Sequence, residues 1–300
     1  MIVNQANLQG LNVAYSTAFN KAFQGVSTLY QEFATTVPSS TAAQKYKWLG
    51  QIPQMREWIG ERQIQALSAY DYTIKNKKFE VTISVPKDDI EDDQYGTYTP
   101  MFGSIGESAA LHPEELCFQT LKDGFTSPCY DGLPFFSDKH KSGDRTFSNM
   151  SHEKLSVEAF EKGRAAIMSI TGDQGKSLKL VPNLLIVSPT NEKMARLILE
   201  ADQIEGTTNV NKGLAKLMVA PDLADMPNAW FLGVTNRFIK PIIFQKRKEI
   251  KLISYTKDDD MNVFLNDEFV WGADGRSNAG YSFWQMMYGS DGTAEEEAKG

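Results

Sequence analysis

Apolar positions in the first 45 residues recur at helical spacing. Phe19, Phe23, Val26, Tyr30 and Phe33 lie 4, 3, 4 and 3 positions apart, one stripe of an amphipathic helix. The stripe runs towards Pro38, and the small polar stretch TTVPSSTAA (35–43) reads as a linker. A stripe of this size has to be covered, either by the chain's own domain or by a neighbouring subunit.

Between residues 46 and 86 the pattern turns to β structure. Phe79, Val81, Ile83 and Val85 alternate with Glu80, Thr82 and Ser84, which predicts a half-exposed strand closed by Pro86. The turn at Ile59-Gly60-Glu61 lies between two candidate strands, so the segment 46–86 reads as a long hairpin. A lone hairpin is marginal in water and needs a partner surface. Asp88, Asp89, Glu91, Asp92 and Asp93 follow. So many carboxylates invite a metal reading, but acidic residues also favour a helix start, where unpaired amides and the dipole attract negative charge. The second reading predicts a long helix or helix pair from Asp88 to Lys122. Gly103, Gly106 and Pro113 mark a kink or break, with Pro113 fitting a new first turn.

Residues 123–150 are rich in turn formers. Ser156 fits the cap of a helix bearing Val157, Phe160, Ile167 and Met168 on one face. Leu184 to Val187 is a short apolar strand, and Thr190 fits the cap of a helix holding Met194, Leu197 and Ile198. After residue 213 strands dominate: LAKLMVA, AWFLGV, FIKPIIF, EIKLISY, NVFL and EFVW, with RSNAGYSFWQMMYGS as a further aromatic strand. Helices and strands do not alternate regularly, so the fold class is α+β.

Composition narrows the function. The 300 residues carry 31 basic and 38 acidic side chains, net −7, with hydrophobic residues at 41% and charged residues at 23%. The balance argues against a protein that grips nucleic acid with a basic face, though not against one that encloses it. Seventeen Phe, eleven Tyr and five Trp supply large areas for cores and interfaces. Two cysteines make no disulfide scaffold and fit a reducing, cytosolic setting. The first residues lack a signal-peptide pattern, and no run approaches the ~18 apolar residues of a membrane span.

Candidate chemistry is sparse. GDQGKSL (172–178) imitates a phosphate loop, but Ile170 stands where the first glycine is required. It reads as a helix end and turn. Cys117, Cys129, His112, His140 and His152 lack the paired spacing of a zinc site, so any such site would have to be assembled by the fold. Cys129 with His140 could form a thiol–imidazole pair, as in a cytosolic hydrolase. Asp258, Asp259 and Asp260 resemble a calcium loop, but Val263 and Phe269 replace its glycine and glutamate. No catalytic, cofactor or metal site is therefore expected, and weight shifts to a protein that works through surfaces.

Four segments carry a resemblance: REWIGER (56–62), YTIKNKKFEVTISVPKDDIEDD (72–93), YDGLPFFSDKH (130–140) and VWGADGRSNAGYSFWQMMYGS (270–290). With the order of elements above, they resemble the major head subunits of Mu-like phages and prophages, members of the tailed-phage major capsid fold. The resemblance implies an N-terminal arm (1–45) and an extended loop (46–86) lying over an adjacent subunit. It implies a peripheral domain with a long spine helix (87–180), an axial domain (181–265), and a C-terminal return with a tail (266–300). It implies assembly through pentamers and hexamers into an icosahedral shell around double-stranded DNA, in the virion, with a portal protein as partner. No long charged helical extension precedes residue 46, so a separate scaffolding protein, or removal of a segment not present here, is expected. The assembly interface is expected at Phe19, Phe23, Arg56, Glu57, Trp58, Glu61, Arg62, Arg276 and Trp284. Trp58 amid Arg56, Glu57, Glu61 and Arg62 suits an aromatic anchor with a charged rim, the alternative being a core position in its own chain. A nanocompartment shell of the same fold, packaging protein, is the competing reading within self-assembly.

Overall fold

A computed structural model describes residues 5–50, 71–92, 94–172, 175–257 and 259–294. Helix α1 (Gln5–Gly25) is followed by strands β1 (Ala34–Pro38), β2 (Ala43–Lys45), β3 (Thr73–Lys75) and β4 (Lys77–Pro86). Helices α2 (Lys87–Glu91) and α3 (Thr99–Asp123) come next, then short strands β5 (His140–Ser142), β6 (Arg145–Phe147) and β7 (Met150–Ser151). Helix α4 (Val157–Met168), β8 (Leu184–Val187), α5 (Glu192–Leu199), β9 (Gln203–Ile204), β10 (Thr207–Thr208), β11 (Lys216–Val219) and β12 (Trp230–Gly233) follow. The chain continues through β13 (Ile242–Tyr255), α6 (Met261–Asn266), β14 (Glu268–Tyr281) and β15 (Met287–Ser290).

Two sheets organise these elements. One has the order β1-β13-β14-β4, with β1 parallel to β13 and the other pairs antiparallel. The other has the order β11-β8-β12-β15-β7, with parallel pairs at both edges. On the first sheet, α1 lies along α3 and α3 rests on β14 and β13. The alternation seen in residues 79–85 explains why: Val85 is buried and Phe79, Val81 and Ile83 half-buried, while Glu80, Thr82 and Ser84 face out. Phe269, Trp271 and Ala273 of β14 turn to the same covered face. There Tyr15 stacks on Phe102 at 3.9 Å and Trp271 meets both rings edge-on, at 5.2 and 5.4 Å.

The helices approach very closely. A methyl group at Gly106 of α3 would sit 2.3 Å from the carbonyl oxygen of Phe19 in α1. Glycine is required here by proximity. The buried Glu114 carboxylate of α3 accepts the backbone N–H groups of Leu29 and Tyr30, the latter at 3.1 Å, and so fixes where the chain leaves α1.

Several elements differ from expectation for identifiable reasons. Residues 34–38 form the edge strand β1, where the 35–43 segment reads as a linker. Its β-branched residues suit a strand, and Pro38 is tolerated at the end of an edge. The acidic run starts only the short α2, and α3 then runs unbroken through Pro113. A proline inside a helix costs about 3 kcal/mol. Burial of Phe102, Ile105, Ala109, Cys117, Phe118 and Leu121 along one face of α3 offsets it. The β4 strand, expected within the 46–86 hairpin, pairs with β14. Only the base of the expected hairpin is seen, as β2 against β3; residues 51–70 lie outside the described residues. FIKPIIF and EIKLISY merge into β13, and NVFL forms α6 instead of a strand. Asn262 causes that reversal by donating to the carbonyls of Tyr255 and Glu268, at 3.2 and 2.7 Å, tying two strand ends together. Ser156 caps α4 as expected, its Oγ accepting from Ala159 N–H at 3.1 Å. The cap of α5 is Asn191, not Thr190.

Candidate assembly surface and a buried thiol–carboxylate–imidazole cluster

The expected interface residues separate into three groups. Phe19 and Trp284 are buried by their own chain, Phe19 under α3 and Trp284 against His140. Their side chains are core here, because the aromatic stripe of α1 and the aromatic C-terminal segment find partners within one subunit. Phe23 and Arg276 are only half-covered. Phe23 stacks on Phe19 at 5.9 Å and borders an open cavity of about 380 Å³ with Val26, Phe244 and Ile250. Arg276 is paired in register with Lys78 of β4 and Lys248 of β13, and its buried Nε has no hydrogen-bond partner among the described residues. Arg56, Glu57, Trp58, Glu61 and Arg62 lie outside the described residues.

The pattern misread as a strand yields an unforeseen surface. Helix α6 closes the long ladder of β13 and β14 and exposes Met261, Phe264 (79% exposed) and Leu265. Tyr255 and Ile253 extend this apolar tip along β13. Phe238, 96% exposed, marks a second apolar point in the loop before β13. Exposed apolar groups clustered at a tip mark interaction sites. The sequence signal was present in NVFL, an apolar run between carboxylates, but its exposure depends on the reversal at Asn262.

The YDGLPFFSDKH segment folds into a tight loop around Asp131. Asp131 Oδ1 accepts the Leu133 N–H at 3.0 Å and the Cys129 thiol at 3.1 Å. Asp131 Oδ2 accepts from His140 Nδ1 at 2.6 Å, while His140 Nε2 donates to the Phe135 carbonyl at 3.2 Å. The imidazole is fully buried and lies flat on Trp284, with centroids 4.2 Å apart and planes 4° apart. Beside it, Asn149 accepts the Ser137 N–H and directs its amide hydrogens to the carbonyls of Phe135, Met287 and Trp284. The loop is thereby riveted to the C-terminal segment.

This arrangement is not that of an activated nucleophile. Burial pushes the Cys129 thiol upward, and the Asp131 charge pushes it further. The carboxylate stands between thiol and imidazole, so His140 is not hydrogen-bonded to the sulfur it would have to deprotonate. Burial alone would raise the Asp131 acid, but the His140 hydrogen bond and charge outweigh it and hold the acid below its ordinary value. Cys117 is buried elsewhere in α3, and both cysteines are free. No helix among the described residues is long and apolar enough to cross a membrane.

Comparison with known proteins gives concordant results. The family model of the Mu-like prophage major head subunit gpT matches residues 8–152, 145–223 and 222–299. The chain is 34% identical over 286 residues to the major capsid protein of Escherichia phage Mu, covering 95% of this chain and 74% of that protein. It is 31% identical over 290 residues to the Mu-like prophage FluMu major head subunit of Haemophilus influenzae, covering 97% and 75%. Among solved structures it is similar to a chain of the bacteriophage JBD30 procapsid. The TM-score is 0.63 and identity 32%, over 99% of this chain and 78% of that one.

Proposed function

The chain belongs to the Mu-like prophage major head subunit family, and from that premise we propose that its copies associate through pentamers and hexamers into a closed icosahedral shell around double-stranded DNA. Its role is that of a major capsid protein, a component of the virion with the tailed-phage capsid fold. The observation that carries the proposal is the family match along nearly the whole chain, at 34% identity to a capsid protein. The same match favours the phage reading over a protein-packaging nanocompartment. The chain acts through surfaces and has no catalytic task in this reading.

The assembly geometry follows from exposed chemistry. The extended loop within residues 46–86 reaches an adjacent subunit. Arg56, Glu57, Trp58, Glu61 and Arg62 make its contact. Residues 87–180 with the 266–300 return form the peripheral part, and 181–265 the axial part. The half-covered Phe23, the Arg276 row and the α6 tip are surfaces that neighbours complete. A net charge of −7 suits a wall that must release its DNA, since dense phosphate pairing would resist ejection. A portal and a separate scaffolding protein belong to the same reading, as does synthesis in the host cytoplasm.

Negative-stain electron microscopy of the purified protein, alone and with a co-expressed scaffold, tests this. Closed shells, rings of five or six, or tubes are expected. A strictly monodisperse monomer or dimer under both conditions overturns the assembly reading.

A further inference from the structure

The loop around Asp131 has a property that shell building does not use. Cys129 Sγ, a carboxylate oxygen of Asp131 and a ring nitrogen of His140 all lie within 4.8 Å of one another. We propose that these three side chains form a binding site for a divalent cation of the zinc class.

The donor set selects the ion. Thiolate, imidazole and carboxylate together suit zinc and cobalt, whereas magnesium and calcium favour all-oxygen sites. The three donors come from residues 129, 131 and 140, a spacing unlike the paired ligands of zinc fingers, so only the folded loop assembles them. The loop itself is pinned. Cys129 N–H donates to the Leu133 carbonyl at 2.8 Å, and Leu133 N–H donates to Asp131 at 3.0 Å. The His140 ring is held by Trp284 on its face and by the Phe135 carbonyl on Nε2, which leaves Nδ1 directed at the cluster. A hydrogen bond from the far ring nitrogen to a carbonyl is the outer support that metal-ligating imidazoles ordinarily have. Zinc donors stand about 2.0–2.3 Å from the ion, so the present hydrogen-bonded separations need open by only about an ångström.

The bound state balances in charge and protons. Two hydrogens now lie inside the cluster, one between the Cys129 thiol and Asp131 and one between Asp131 and His140 Nδ1. A divalent ion takes their place and both leave to solvent. The ion's two positive charges then face a thiolate and a carboxylate beside a neutral imidazole, which sums to zero. The remaining ring proton stays on Nε2, donated to the Phe135 carbonyl, and no electrons move. Neutrality of the loaded site removes the costly component of burying an ion.

The test uses the full chain, stripped with chelator and titrated with cobalt(II), then with zinc. One equivalent of cobalt should produce a near-ultraviolet thiolate-to-cobalt charge-transfer band that zinc abolishes. About two protons should be released per ion near neutral pH. Cys129→Ser should remove the band and Cys117→Ser should keep it. Absence of the band in the unaltered chain overturns the proposal without reference to any variant's folding. Uptake that persists without the band, or is unchanged in Cys129→Ser or in the more conservative Asp131→Asn, identifies surface carboxylates as the ligands and equally overturns it.

Discussion

The two sheets treat their faces differently. In the five-stranded sheet, β8, β12 and β15 are buried at every position. In the four-stranded sheet, β4 alternates between exposed and more covered positions and most of β14 between half-buried and buried ones. The first is a finished core, closed within one subunit. Among the described residues the second has α1 and α3 packed on one face, and its β13–β14 ladder ends in an apolar tip. One region supplies the stability of the subunit, and the other keeps surface available for association.

Substitutions should divide along this line. Trp230→Ala, in the closed sheet, removes a fully buried indole that packs near Gly163 and donates to the Glu153 carbonyl at 3.0 Å. It should cost about 3–5 kcal/mol, read by denaturant unfolding of the isolated subunit. Gly106→Ala forces a methyl group against the Phe19 backbone and should cost about 1–3 kcal/mol by the same measurement. Glu114→Ala leaves the Leu29 and Tyr30 amides without their acceptor and should cost about 1–3 kcal/mol, with faster hydrogen exchange at those two amides.

A smaller effect lies in the His152–Asp291 pair, 2.9 Å apart. Partial burial alone would raise the Asp291 acid, but bonds from His152 and Thr293 outweigh it and lower the acid. A carboxylate lowered by folding stabilises above its unfolded value near 4, and that contribution is lost as pH falls through the folded value. Asp291→Asn should therefore flatten the acid side of the stability–pH curve by less than about 1 kcal/mol. The least effect on the subunit should come from Phe264→Ser with Leu265→Ser. Both are exposed, so unfolding should move by no more than about 0.5 kcal/mol while electron microscopy shows loss of closed shells. Normal shells from this double variant would break the comparison.

Much of this division was legible in the chain. The alternation of Phe79 to Val85 marked β4 and its covered face, and LLIV at 184–187 marked a short apolar strand, which the structure buries at every position. Ser156 marked its helix correctly. What failed depended on distant partners. Ala34 to Pro38 looks like a linker until β13 supplies a ladder for it. Pro113 looks like a break until one sees how much of α3 is buried. Phe19 and Trp284, expected at the assembly interface, have Gly106 and His140 of their own chain beside them. Asp131 drew no attention, since a carboxylate before glycine usually signals only a turn.

The pairing of β1 with β13 also has a consequence in time. Residues 34–38 are made early, yet their ladder partner among the described residues begins at residue 242. Strand β4 likewise waits for β14, and β12 for β15 on one of its sides. During synthesis α3 and α1 can meet, but neither sheet can close until most of the chain has emerged. Long-range pairing of this kind is slow and leaves strand edges open meanwhile. The β13–β14 tip is itself a local hairpin, but it emerges after every other strand of the two sheets except β15, so a growing subunit offers a neighbour that surface only when nearly all of its own interior partners have been made.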